Sequence, residues 1–136
     1  MKEYTKPLPQ PTEWSKPFWE GTKQHTLLIQ KCKDCKTLIM YPKPFCPNCL
    51  SKNLEWVKAS GKGKLYTFTT VYSYGPSEFA EDVPYTVGVI TLEEGVRMMS
   101  NIIGCAPEAV KCDMPVEVVF EDVTPEITLP KFKPVK

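Results

Sequence analysis

Four cysteines in this chain stand at a spacing that does chemistry. Cys32-Lys-Asp-Cys35 is followed, after ten intervening residues, by Cys46-Pro-Asn-Cys49. Each C-x-x-C makes a tight turn that aims both sulfurs at one point, and the intervening chain returns with the second pair. Four thiolates suit a tetrahedral metal at about 2.3 Å per bond, and a site with four protein ligands keeps no open position. The spacing therefore predicts a structural zinc site on Cys32, Cys35, Cys46 and Cys49. Iron in a rubredoxin-like site uses the same ligands and is the rival metal. Two disulfides would need an oxidising compartment, and the polar Met1-Lys-Glu-Tyr-Thr-Lys-Pro start has no apolar stretch of a signal peptide. A reducing cytoplasm is the natural home of these thiolates.

Other reactive groupings are sparse. His25 is the only histidine and lies seven residues before Cys32, outside ligand spacing. It reads as a surface or hinge residue. There is no Ser/His/Asp grouping and no carboxylate pair in a cleft-like context, so the residues predict no catalytic site. Charge is uneven. Residues 1–64 hold 12 Lys and 5 Asp/Glu, and residues 65–136 hold 4 Lys, 1 Arg and 11 Asp/Glu, so +7 is followed by −6. A basic half can simply be solvated, or it can meet an anionic ligand such as a nucleotide phosphate.

The elements that position the cysteines follow from pattern. The 136 residues have room for a small metal module and a compact barrel, and no apolar run approaches the length of a membrane span. Pro7, Pro9 and Pro11 predict an extended arm. Ser15 can cap a short helix with Pro17 in its first turn. That helix carries Trp14, Phe18 and Trp19, which need either their own domain or a partner protein to cover them. Short strands are expected at Leu27–Ile29, Leu38–Tyr41 and Leu54–Val57.

After Gly61-Lys-Gly63 a long strand runs from Lys64 to Tyr74, with Tyr66, Phe68, Thr70, Tyr72 and Tyr74 on one face by period-2 alternation. Tyr85–Leu92 is apolar on both faces, with Gly88 marking a bulge or a close backbone approach. Glu94-Gly95 reads as a hairpin turn into Val96–Ile103. Pro107–Val110 reads as one helical turn, and Val116–Phe120 as a last clear strand. The only candidate for a fifth strand is 122–129, because Pro125, Pro130 and Pro134 predict an irregular tail. This order matches a five-stranded Greek-key barrel of the OB type. Its expected core includes Tyr66, Phe68, Val87, Val89, Met98, Val116, Val118 and Phe120. Cys105 and Cys112 read as buried small apolar groups. The fold class is thus mainly β. A Pro-rich arm and helix (1–26) precede a four-cysteine ribbon (27–57), an OB-fold barrel (58–123) and an irregular tail (124–136).

The motifs recur in an order that resembles a known family. Phe18-Trp19-Glu-Gly21 precedes the two knuckles; Ser60-Gly61-x-Gly63-x-Leu65-Tyr66-x-Phe68-Thr69, Pro84-Tyr85, Glu94-Gly95-Val96 and Met114-Pro115-Val116 follow them. The chain resembles the DUF35 family, acyl-CoA-associated OB-fold proteins with an N-terminal rubredoxin-like zinc ribbon, over about residues 14–123. The resemblance implies a non-catalytic scaffold or partner of thiolase-type, hydroxymethylglutaryl-CoA synthase or hydratase-type enzymes, with CoA or an acyl-CoA as a ligand. Lys31, Lys33, Lys36 and Lys43 around the metal are then candidates for the CoA phosphates, and Trp14, Phe18 and Trp19 for the enzyme interface. The chain departs from the family where glycine usually follows each knuckle's second cysteine. Lys36 and Leu50 stand there, at positions that often need positive φ, which costs a non-glycine residue about 1 kcal/mol. A single-stranded nucleic-acid binder is the alternative, since zinc ribbons and OB-folds pair there and the aromatic stripe could stack bases. The acidic barrel half argues against it. An iron electron carrier is the second alternative.

Overall fold

The computed structural model describes residues 6, 8–72 and 83–135. Helix α1 (Lys16–Lys23) is followed by three short strands, β1 (Leu28–Cys32), β2 (Leu38–Ile39) and β3 (Leu54–Lys58), and then by β4 (Lys62–Val71), β5 (Tyr85–Leu92), β6 (Arg97–Ile102), β7 (Pro115–Asp122) and β8 (Thr128–Pro134). The first three strands form an antiparallel sheet in the order β2-β1-β3, and the last five close a barrel in the order β4-β5-β6-β8-β7. A single turn of 3₁₀-helix, Pro107–Ala109, lies between β6 and β7. This is OB-fold topology, with the short helix in the expected place.

Start signals for α1 are present but differently arranged. Pro17 sits in the first turn, yet the Ser15 side chain makes no cap bond to the helix. Instead Thr12 N donates to Ser15 Oγ at 2.8 Å and Ser15 N donates to Thr12 Oγ1 at 3.2 Å, a reciprocal pair one step outside the helix. Phe18 is buried, and Trp19 packs edge-on against it with ring centroids 4.9 Å apart.

One hydrophobic cluster joins all parts of the molecule. It takes Phe18 from α1, Leu27 and Ile29 from the ribbon, and Leu65, Ile90, Met98, Val116 and Phe132 from the barrel. Burial of such side chains contributes about 1.5–3 kcal/mol each, so the ribbon is seated on the barrel by the same force that closes the barrel.

The β4–β5 register corrects part of the expected core. Pairing shifts between Leu65 and Thr67, a bulge that lets Leu65 and Phe68 both point inward and turns Tyr66 out, where it is 52% exposed. In β5 the inward residues are Thr86, Gly88, Ile90 and Leu92, so Val87 and Val89 lie on the outer face. Hydrophobicity alone could not choose between two apolar faces. Met98 and Val116 are buried as expected, and Phe68, Val118 and Phe120 are half-buried against the core. Gly88 is required by close approach: a Cβ there would lie 2.6 Å from Leu65 Cδ1. Leu92 N donates to Val96 O at 2.8 Å across the Glu94-Gly95 hairpin, and Gly95 has φ +96°. The exposed Tyr72 leaves the aromatic stripe, and Tyr74 lies outside the described residues.

The tail beyond residue 124 is not irregular. β8 pairs with β7 along seven positions and with β6, in parallel, at Ile102 and Phe132. Ile103 N donates to Phe132 O, so even-numbered β8 residues turn their backbone polar groups toward β6. Pro130 and Pro134 therefore lack an N–H on the side where pairing is thinnest, which is where a strand tolerates proline. Of the two further cysteines, Cys105 packs on the core, but Cys112 is exposed rather than buried.

Phe132 is fully buried, so Phe132→Ala should destabilise the protein by about 3–5 kcal/mol. Tyr66→Ala, on the outer face, should change stability by less than about 1 kcal/mol. Urea denaturation of the two variants checks both values.

Candidate metal centre and its surroundings

β1 delivers Cys32 at its last position, and the two knuckles then repeat one backbone geometry. Lys36 N donates to Cys32 O at 2.9 Å, and Leu50 N to Cys46 O at 2.8 Å. Cys32 N donates to Thr37 O at 2.9 Å, and Cys46 N to Ser51 O at 2.8 Å. Lys36 and Leu50 have φ of 67° and 65°, the left-handed conformation expected at the positions that follow each second cysteine. Each turn also aims an amide at a sulfur: Cys35 N lies 3.5 Å from Cys32 Sγ, and Asn48 N lies 3.3 Å from Cys46 Sγ.

The four sulfurs of Cys32, Cys35, Cys46 and Cys49 lie within 4.8 Å of one another. Cys32 and Cys49 approach to 3.5 Å, and Cys35 and Cys46 to 3.6 Å. A tetrahedron with bonds of about 2.3 Å would set its sulfurs about 3.8 Å apart, so the donor set fits one tetrahedral ion. Its electrostatics ask for a cation. Hydrogen bonds from Thr37 first, then Asn48, pull the Cys35 thiol down to about 5. Cys49 is pushed up to about 12: the Ser51 backbone hydrogen bond favours its thiolate, but desolvation and the neighbouring cysteines outweigh it. Four thiolates cannot share this volume without positive charge between them.

Several supporting contacts carried no sequence signal strong enough to read. Asp34, inside the first knuckle, accepts hydrogen bonds from Ser51 Oγ and from Asn53 Nδ2, which ties the two knuckles together. The Ser51 bond, then the Asn53 bond, lower the Asp34 pKa. Gln30 is buried in β1, where its amide donates to Lys43 O at 2.9 Å and accepts from Lys43 N at 2.7 Å. Its place directly after the apolar run Leu27-Leu28-Ile29 was the available clue. Tyr41, between the knuckles, accepts a hydrogen bond from Met99 N of β6 at 2.6 Å and so pins the ribbon to the barrel.

His25 also bridges the modules. It stacks on Phe120 at 5.3 Å, and its Nε2 lies 3.1 Å from Asp122 Oδ1. Thr128 Oγ1 donates to the same carboxylate at 2.6 Å. The hinge reading of His25 fits this placement.

The other candidate residues are not gathered into a pocket. Lys33, Lys36 and Lys43 are exposed on the ribbon, and Lys31 is half-buried opposite Glu55. The described cavities are lined by none of these lysines. Of the aromatic trio, Trp14 is 45% exposed, Trp19 is half-buried, and Phe18 belongs to the protein's own core and is closed to a partner.

A four-thiolate ribbon seated on an OB-fold barrel is the class of protein these elements define. Residues 19–55 match the ChsH2 rubredoxin-like zinc ribbon domain, and residues 56–121 match the ChsH2 C-terminal OB-fold domain. The chain belongs to this family, whose members carry the name DUF35. It is 38% identical over 126 residues to a DUF35 domain-containing scaffold protein of Methanocaldococcus jannaschii, a match that covers 87% of this chain and 89% of the relative. It is 40% identical over 118 residues to a probable enoyl-CoA hydratase alpha subunit of Thermomonospora curvata, covering 86% of this chain but only 36% of that longer protein. Among solved structures, a chain of the Ltp2-ChsH2(DUF35) aldolase superposes with a TM-score of 0.85 at 35% identity, covering 93% of this chain and 98% of that one.

Two outcomes follow. Leu50 is 70% exposed and left-handed, so Leu50→Gly should relieve about 1 kcal/mol of backbone strain, offset in part by glycine's unfolded-state entropy. A raised melting temperature with unchanged metal content checks it. The Asp122 carboxyl is held below its ordinary 3.8 by the Thr128 and His25 hydrogen bonds. A depressed carboxyl stabilises the fold fully above its unfolded value and loses that contribution as pH falls through the folded value. The acid limb of the stability profile below about pH 4 should therefore be shallower in Asp122→Asn than in the wild type, as measured by thermal melts across pH.

Proposed function

We propose that this chain is a non-catalytic scaffold or partner subunit of an acyl-CoA-metabolising enzyme of the thiolase, hydroxymethylglutaryl-CoA synthase or hydratase type. The observation that carries this reading is a contrast of lengths. The same two-module unit makes up most of proteins named as scaffolds and about a third of a protein named as a hydratase alpha subunit. A benzoylsuccinyl-CoA thiolase subunit, BbsA of Thauera aromatica, is 32% identical over 93 residues and supports the same class of partner. The closed four-sulfur site agrees with this, since its geometry offers a metal no vacant position for substrate.

In this reading the ribbon metal is zinc and holds the knuckles in place. Trp14 is the exposed anchor of the N-terminal element, with Trp19 beside it. Lys31, Lys33, Lys36 and Lys43 offer positive charge to CoA phosphates. No helix among the described residues is long and apolar enough to cross a membrane, and a reducing compartment suits the thiolates.

Elemental analysis of the purified protein should find one zinc per chain, and a red, iron-loaded protein would favour the electron-carrier reading. Affinity purification should bring down an acyl-CoA enzyme subunit identified by mass spectrometry, and the purified chain alone should turn over no acyl-CoA. Trp14→Ala should weaken capture of that subunit by about thirtyfold while zinc content stays intact. Lys31→Glu with Lys33→Glu should weaken CoA binding, by calorimetry, more at low than at high salt.

A further inference from the structure

The outer face of the barrel carries an apolar band beside a cationic row. In the β4–β5–β6 register, Lys64 stands opposite Thr91, which stands opposite Arg97. The next row pairs Thr67 with Val89 and Val89 with Met99; the bulged Tyr66 lies beside its β4 end, and Tyr41 of the ribbon lies at the other. Tyr66, Met99 and Tyr41 are 52%, 58% and 48% exposed. This is a large amount of bare apolar surface on one line.

The band is also held rigid. The Arg97 guanidinium sits 3.9 Å over the Tyr66 ring, and Arg97 Nε donates to Thr91 Oγ1 at 3.2 Å. The Tyr41 hydroxyl is fixed on Met99 N at 2.6 Å. A cavity of about 520 Å³, walled by Lys64, Tyr66, Pro115 and Val135, opens at one end of the band. A second of about 230 Å³, between Trp19, Tyr41 and Met99, opens at the other and joins the band to the helix. Preordered aromatics beside small cavities are the geometry of a protein hot spot, since a partner's side chains can be fully desolvated there.

Charge decides the kind of partner. Among the described residues, neither Lys64 nor Arg97 has a carboxylate within ion-pair distance, but Lys64 shares its cavity with Lys62, Glu93, Asp113 and Glu117, so Arg97, over the Tyr66 ring, is the cation that belongs to the band itself. We infer that the Tyr66–Val89–Met99–Tyr41 band is the docking surface for the enzyme subunit, which meets it with an apolar patch carrying a carboxylate for Arg97. This rests on the scaffold reading and adds a barrel face to the Trp14 and Trp19 element as the enzyme's seat. The band crosses three strands at about 4.8 Å spacing and continues onto the ribbon, a span suited to a protein surface. Lys62, Lys64 and Arg97 are interleaved with Glu93, Asp113 and Glu117, so the face has no continuous positive track for a nucleic-acid backbone.

The test uses the acyl-CoA enzyme subunit that co-purifies with the wild-type chain, purified and titrated against full-length variants by calorimetry. The double variant Tyr66→Ala, Met99→Lys should lose at least about thirtyfold in affinity. Arg97→Glu should weaken binding by a factor that shrinks as salt is added. Both variants change exposed side chains, and unchanged metal content and melting temperature verify their folds. Wild-type affinity in both overturns the surface while leaving the scaffold reading standing. If no acyl-CoA enzyme subunit binds the wild type, both the surface and the scaffold reading fall. Binding of an oligothymidylate probe to the wild type, abolished by Arg97→Glu, overturns the inference in favour of a nucleic-acid face.

Discussion

Four sulfurs held within 4.8 Å of one another are the constraint on which the rest of this structure depends. As thiolates they repel, and only a cation between them turns that repulsion into the strongest link in the ribbon. The ribbon has little else. Its sheet is three short strands, and its own apolar cluster is Cys32, Ile39 and Cys46 with Cys35 and Leu54 packed against it. The four-cysteine cluster stands at the end of β1, with Tyr41 between its two knuckles and Ile29 three residues before Cys32 in the shared core.

From that centre, order passes outward through a few directional contacts and one shared core. Gln30 holds the chain leading to the second knuckle, Asp34 clamps the two knuckles, and Tyr41 and His25 reach the barrel. The exposed polar links are individually weak. The apolar cluster from Phe18 to Phe132 supplies the cohesion, and the polar links supply the orientation. Such a division suits a scaffold, whose task is to hold surfaces at fixed angles, more than it suits an enzyme, which needs groups poised to move protons or charge.

The barrel shows how an outer face comes to carry apolar side chains. The bulge after Leu65 turns Tyr66 outward, and the inward parity of Gly88 and Ile90 leaves Val87 and Val89 outside. Burial of the ribbon's Leu27 and Ile29 uses part of the barrel surface, and the β4–β5–β6 face beside Tyr41 is left bare.

The sequence by itself determined the four-cysteine cluster, the order of modules and the Glu94-Gly95 hairpin, while the left-handed positions Lys36 and Leu50 were legible only through the resemblance to the family. The cluster and the hairpin are local: a C-x-x-C turn or a two-residue turn signal is written within a few neighbouring residues. Tertiary structure decided which side of β5 faces inward, that Tyr66 points out, that Pro130 and Pro134 lie within a strand, and that Phe18 is core while Trp14 is surface. Those outcomes depend on pairing between segments far apart in the chain. A strand that is apolar on both faces, or a proline whose missing N–H falls on a thinly paired edge, reads the same in sequence whichever way it is finally set.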